Sequence, residues 1–334
     1  MFNIKMNSIK EIPVLFFPFA RPEYARQTFE AIKKAQPRNF YFYCDKAREG
    51  NSEEIENNNI VRDYIKEVDW DCNLQTWFRD ENIGVYTSIL NAIDWFFDNE
   101  EMGIILEEDC LPSLAFFDFC RQLLPKYKND QRVWLLTGNN FIPDYNPNGY
   151  DYIFTAACQF QWGWASWRRC WKRINRDGFF IPDIISYRLN FQYLGDRIGA
   201  EISNIKNIER QDADGFFRPK SWDYIFQMTM KTEGGIGVIP TKNLVSNIGV
   251  IGTNSKKINK YHCMIIPKND TYIIKAHPPF VLSDIRYTSK FLKFRNSSLL
   301  SVRLKHYLRR LKIFIRGSIV YDIYQKISSS LIKG

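Results

Sequence analysis

GIILEEDCLPSLAFFDF, residues Gly103 to Phe119, carries the pattern from which the fold is read. Gly103 to Leu106 form an apolar run of the length and composition of a strand buried on both faces. Glu107, Glu108 and Asp109 follow without a break, and a helical pattern then runs from Ser113 to Tyr127. Three adjacent carboxylates at the end of a buried strand repel one another unless positive charge is supplied. Strand alternation predicts Glu107 and Asp109 on one side and Glu108 on the other. A hard divalent cation, held by one carboxylate, diphosphate oxygens and water, satisfies this cluster. A solvated acidic loop, or acids near the positive end of the next helix, is the simpler alternative.

Working outward, the flanking sequence alternates strand and helix. Upstream, Val14–Phe19 and Asn39–Cys44 read as buried strands and Asp71–Phe78 as a weaker one. Helical patterns cover Glu23–Ala35, a stretch opening at Ser52, and Val85–Phe97. Downstream, Arg132–Thr137 and Ile153–Cys158 are expected strands. Helices are expected at Ile184–Tyr193, Ile198–Ile208 and after Trp222-Asp223, with short strands at Gly237–Pro240 and Leu244–Ser246. This alternation predicts a mainly parallel sheet covered on both faces, whose ligands sit at the carboxyl ends of its strands. Asp45 and the acidic triplet occupy such ends. The segment Gln161–Trp171 places Trp162, Trp164, Trp167 and Trp171 close together, which suits either core packing or stacking on sugar faces.

Hydrophobic residues make up 45% of the 334-residue chain and aromatics 16%, enough for a substantial core. Seven cysteines with no CxxC pair, and three histidines, give no support to a zinc ribbon or a thioredoxin-like site; free thiols in a reducing compartment are expected. The apolar run near the N-terminus is too short for a signal peptide or a membrane span, so a cytoplasmic location is expected. The net charge of +9 is unevenly placed. Arg286–Gly334 holds 12 Lys/Arg against Asp322, a net +11, which leaves −2 on the rest. From Leu300, Leu304, Tyr307, Leu311 and Phe314 recur at helical spacing with basic residues largely off that stripe. Such a helix suits an anionic membrane surface or packs on the body with its basic face in solvent.

The stretch Gly103–Phe119 resembles the metal-site strand and following helix of GT-A glycosyltransferases, in particular the N-acetylglucosaminyltransferase I family and its bacterial relatives. Shared features are the apolar strand, three acids, a short spacer with Pro112, and a Phe-Phe helix start at Phe116-Phe117. The resemblance extends from about Pro13 to Ser255 and implies a GT-A, Rossmann-like nucleotide-sugar-binding fold. Matched position by position, it implies that Arg21 lines the nucleotide site and that Asp45 reads the base. Glu108 then contacts ribose, Asp109 ligates manganese or magnesium, and Glu107 binds the sugar. Trp222-Asp223 resembles the pair that supplies a sugar contact and the catalytic base, and Trp164 matches an aromatic kept after glycine. Thr253 and Asn254, in Gly252–Ser255, match a loop closing over the diphosphate, although the histidine of that pattern is absent. The middle acid is Glu108 where the family has the shorter Asp.

The resemblance therefore implies a UDP-sugar donor, a divalent metal, and inverting transfer to a glycan or lipid-linked acceptor, with bacterial surface polysaccharide as one setting. Residues 1–280 are expected to form the catalytic domain, with a donor and metal half at about 10–140 and an acceptor half at about 141–280. Residues 281–334 form the basic helical tail, expected to hold the protein peripherally on the inner face of a membrane. Two other classes compete. A nucleotidyltransferase on a related fold usually carries a glycine-rich triphosphate loop, which Ala20–Tyr24 lacks. A nucleic-acid binder predicts basic and aromatic residues along a groove, whereas the body is slightly acidic, so no nucleic-acid partner is expected.

Overall fold

A computed structural model of the protein describes residues 8–156, 162–180, 216–217, 221–249 and 271–295. Thr253 and Asn254, the helices expected at 184–193 and 198–208, and the amphipathic stretch from Leu300 lie outside the described residues. Two compact units are distinguished, Met1–Arg176 with Lys220–Phe291, and Asp177–Pro219 with Leu292–Gly334.

The first unit begins with β1 (Val14–Phe17), α1 (Pro22–Ala35), β2 (Asn39–Cys44), α2 (Ser52–Arg62), β3 (Asn73–Phe78) and α3 (Val85–Asn99). Next come β4 (Met102–Glu107), β5 (Cys110–Pro112), α4 (Leu114–Tyr127), β6 (Val133–Thr137), β7 (Tyr152–Thr155), β8 (Trp164–Trp167) and the short α5 (Arg168–Trp171). In the second unit β9 (Phe179–Phe180) pairs antiparallel with β10 (Phe216–Phe217). The first unit then resumes with α6 (Trp222–Thr232), β11 (Ile236–Pro240) and β12 (Val245–Asn247), and α7 (Ile285–Arg295) follows.

Eight strands form one sheet in the order β3-β2-β1-β4-β8-β6-β11-β7. β3, β2, β1 and β4 are mutually parallel, as are β6 and β11; β8 and β7 run against their neighbours. The expected α/β, Rossmann-like fold with a mainly parallel sheet is therefore present. β1, β4 and β6 are buried almost throughout, which is why they read as continuous apolar runs rather than alternating ones.

Three local differences have physical causes. Trp164–Trp167, expected only as an aromatic cluster, is the antiparallel strand β8 between β4 and β6, with all four residues buried. A strand covered on both faces shows no alternation, so periodicity could not reveal it. The spacer Cys110–Pro112 is strand β5, paired antiparallel with β12. α7 precedes the stretch where the tail helix was expected and closes on the body through Tyr287, Thr288 and Phe291, all buried. Among the described residues no helix is long and apolar enough to cross a membrane.

Candidate functional site

In the sheet order, β1 lies between β2 and β4, so the chain moves outward in opposite directions from this point. The carboxyl ends of β1 and β4 lie side by side there, the usual ligand position in such sheets. The β1 loop carries Arg21 and the β4 end carries Glu107, Glu108 and Asp109. Sequence reasoning placed all four, and the structure brings them together.

Strand geometry stops at Glu107, and Glu108-Asp109 form a turn. Glu108 is buried, and its Oε2 accepts from the backbone N–H groups of Phe19 at 2.8 Å and Arg21 at 3.3 Å. Its Oε1 accepts from Nε of Arg21. The same guanidinium donates through Nη2 to Oδ2 of Asp109 at 2.7 Å. Arg21 thus spans two acids that strict alternation would have separated. Thr28, fully buried on α1, donates to the Glu108 carbonyl at 2.9 Å and fixes the turn.

Asp109 is enclosed from a second direction. β12 pairs with β5, and the Ile248 N–H continues that ladder to the Asp109 carbonyl at 2.8 Å. The Asn247 side-chain amide approaches Oδ1 of Asp109 at 3.4 Å. Gly249 lies so close that a Cβ there would stand 2.1 Å from Oδ2 of Asp109. β12 is seated by Val245, whose methyl groups occupy the space where Gly138 and Gly163 lack a Cβ, at 2.2 and 2.6 Å from the positions one would take. The glycine of the Trp-Gly-Trp segment is thereby explained, and its φ of +66° independently disfavours other residues.

The carboxyl of Glu107 is pushed up to about 8, first by burial, then by the charges of Asp109 and Asp223, with Arg21 opposing. Asp223, distant in sequence, is one of the charges that act on Glu107. Asp223 opens α6 and accepts from the Ser221 hydroxyl. Beside it, Trp222 is buried and stacks on Trp164, with ring centroids 5.9 Å apart and an interplanar angle of 22°. The expected sugar contact of Trp164 is corrected here. It is 0% exposed, with Trp222, Phe226 and Trp171 around its ring, so no face remains for a ligand. Because β8 is an interior strand, Trp164 supports the Trp222-Asp223 corner from within the core.

Asp45 follows β2 directly and is buried; Oδ1 accepts from the N–H groups of Lys46 at 3.0 Å and Ile83 at 3.5 Å. Burial raises its carboxyl above the usual range against those hydrogen bonds. Sequence reasoning missed Asn58 on α2. Its buried amide donates to the carbonyls of Phe19 at 2.7 Å and Asp45 at 3.0 Å, tying the loop that carries Arg21 to the one that carries Asp45. An asparagine inside an acidic, Asn-rich helix gives no signal of such a role.

Carboxylate oxygens are the ligands a hard cation takes, but here both oxygens of Asp109 have partners, Arg21 at Oδ2 and Asn247 at Oδ1. Among the described residues no group of three or more His, Cys, Asp or Glu side chains converges as a metal cage. An ion here would take its remaining ligands from a bound diphosphate and water.

No family model matches the chain, and no curated protein sequence matches it. Among solved structures, it is similar to the mannosyltransferase PcManGT from Pyrobaculum calidifontis, solved with GDP-Man and Mn2+. That likeness has 12% identity and a TM-score of 0.39, over 99% of this chain and 84% of the other. HddC from Yersinia pseudotuberculosis matches at 10% identity and TM-score 0.30, over 50% and 82% of the two chains. A protein described as a glucose-1-phosphate thymidylyltransferase from Bacillus anthracis matches at 8% identity and TM-score 0.29, over 48% and 74%. At these values the likenesses carry no residue-level meaning, and the reading below rests on the site itself.

Proposed function

We propose that this protein is a metal-dependent glycosyltransferase that moves a sugar from a nucleoside-diphosphate sugar, taken as UDP-linked from the family resemblance, to a glycan or lipid-linked acceptor. The observation that carries this reading is the meeting of Arg21 with Glu108 and Asp109 at the sheet's switch point, with Asp223 bearing on Glu107. On this reading residues at about 10–140 bind donor and metal, and those at about 141–280 receive the acceptor. Asp45 and Glu108 hold the nucleoside, Thr253 and Asn254 close over the diphosphate, and Glu107 and Trp222 orient the sugar. Asp109 holds manganese or magnesium, which when bound supplies Lewis-acid stabilisation of the departing diphosphate.

Arg21 adds fixed positive charge beside the leaving group, in a site where such charge acts more strongly than in water. Asp223 takes the proton from the acceptor hydroxyl as that oxygen attacks the anomeric carbon, and inversion follows from this single displacement. Trp164 and Phe226 keep the Asp223 corner from shifting. The basic tail suits work at the inner face of a membrane, where lipid-linked acceptors reside.

A thermal-shift screen of UDP- and GDP-sugars, with manganese and with EDTA, tests the reading. One sugar-nucleotide is expected to raise Tm in manganese and to lose most of that effect in EDTA. No stabilisation by any member would overturn it.

A further inference from the structure

Phe280, Leu282 and Ile285 are 69%, 68% and 78% exposed, three large apolar side chains within six residues. Their outward position is imposed by their neighbours. Ser283 accepts from the Ala156 N–H at 3.0 Å, and the Asp284 N–H donates to the Phe154 carbonyl at 2.8 Å, so both are fastened along β7. The Asp284 carboxylate accepts from the Tyr145 hydroxyl at 2.6 Å and caps α7 by accepting from the Tyr287 N–H at 2.9 Å.

On α7 the inner side is equally fixed. Tyr287 meets Tyr145 edge to face and donates to Asn140, Thr288 meets Thr155, and Phe291 packs near Phe141. The first turns of the helix therefore leave Ile285, Arg286 and Lys290 exposed. Lys290 lies with its ammonium over the Tyr145 ring, 5.3 Å from its centroid, while the exposed apolar side chains and Arg286 match a surface that is apolar beneath and anionic at its rim. The chain from Arg286 onward carries net +11, so charge of the same sign continues past this ridge. β7 is the end strand of the sheet, at the opposite end from β3.

We propose that Phe280, Leu282 and Ile285 form a wedge that enters an anionic lipid surface, with Arg286 on the headgroups. The wedge deepens the reading of the protein as a transferase acting on a lipid-linked acceptor, and rests on that reading for its purpose. It sets the acceptor half at headgroup level rather than leaving attachment to the basic tail. Apolar insertion and charge attraction contribute separately, so binding needs both.

The test is co-sedimentation of the full-length protein with phosphatidylcholine vesicles and with vesicles also containing phosphatidylglycerol. The wild type is expected to bind the anionic vesicles, more weakly at high salt. Phe280→Ser/Leu282→Ser/Ile285→Ser, with its tail intact, is expected to bind at least about tenfold more weakly. A second measurement uses Phe280→Trp with Leu282 and Ile285 unaltered; the difference between its emission and that of the wild type, which has nine tryptophans, should shift to the blue on adding anionic vesicles. Wild-type binding by the triple variant, no binding by either protein, or an unshifted Phe280→Trp overturns the proposal. Self-association in light scattering that the triple variant abolishes, without vesicle binding, also overturns it and assigns the ridge to a second copy. Sugar-nucleotide stabilisation in lipid-free solution is expected to be equal in wild type and triple variant. Its absence from both would count against the transferase reading and leave the vesicle result standing.

Discussion

Arg21 bonds to two acids at once, Nε to Glu108 and Nη2 to Asp109, and its side chain is 31% exposed. Removing it leaves two largely buried carboxylates without their counter-charge, a change that costs about 3–5 kcal/mol in a buried pair. Arg21→Ala should therefore lower the urea midpoint clearly, and Arg21→Lys should not restore it, because an ammonium cannot span both partners. Asp223 is expected to matter differently. Asp223→Asn should keep sugar-nucleotide binding while cutting transfer by about 10²–10⁴-fold, the usual worth of a general base, in a steady-state assay. The thiols give an independent check on burial. Burial lifts Cys44 and Cys170 to about 11 and Cys110 and Cys120 above their ordinary value. The thiolate is the reactive form, so at pH 8 these four should resist iodoacetamide until the protein unfolds, as mass spectrometry would show.

At the scale of elements, β8 and β12 do the supporting. Trp164 on β8 holds Trp222, and β12 holds Asp109 through its pairing with β5. Trp164→Ala should destabilise by about 3–5 kcal/mol, as for other large buried rings, read from denaturant unfolding. Gly249→Ala tests β12: its new Cβ would press on Asp109, so metal-dependent nucleotide binding should weaken while the unfolding midpoint changes much less. The sequence made some of this legible and hid the rest. β4, its acids and the early helices were readable because apolar runs and helical spacing are local signals. β8 was not, since a strand buried on both faces has no period, and its tryptophans suited either core packing or stacking on sugar faces. The β5–β12 pair joins residues more than a hundred apart, and no local pattern records that. Arg21, Asp45 and Asp223 were singled out by order and resemblance, whereas Asn58, Thr28 and Asn247 act through hydrogen bonds visible only in three dimensions.

Over the whole molecule, charge gathers at the switch point between β1 and β4, inside the sheet, and the exposed apolar side chains lie beside β7 at its end. Along the sequence, a near-neutral body precedes a strongly basic C-terminal stretch. Asp109 is the residue that would hold the dication on which nucleoside-diphosphate binding depends. Calorimetric titration of uridine and guanosine diphosphates into the full-length protein, in manganese and in EDTA, tests it directly when repeated on Asp109→Ala. One diphosphate should bind the wild type in manganese, and binding should weaken at least about tenfold on chelation and to a similar degree in Asp109→Ala. Equal affinity in EDTA, unchanged manganese-dependent binding by Asp109→Ala, or no binding of either nucleotide would contradict the account.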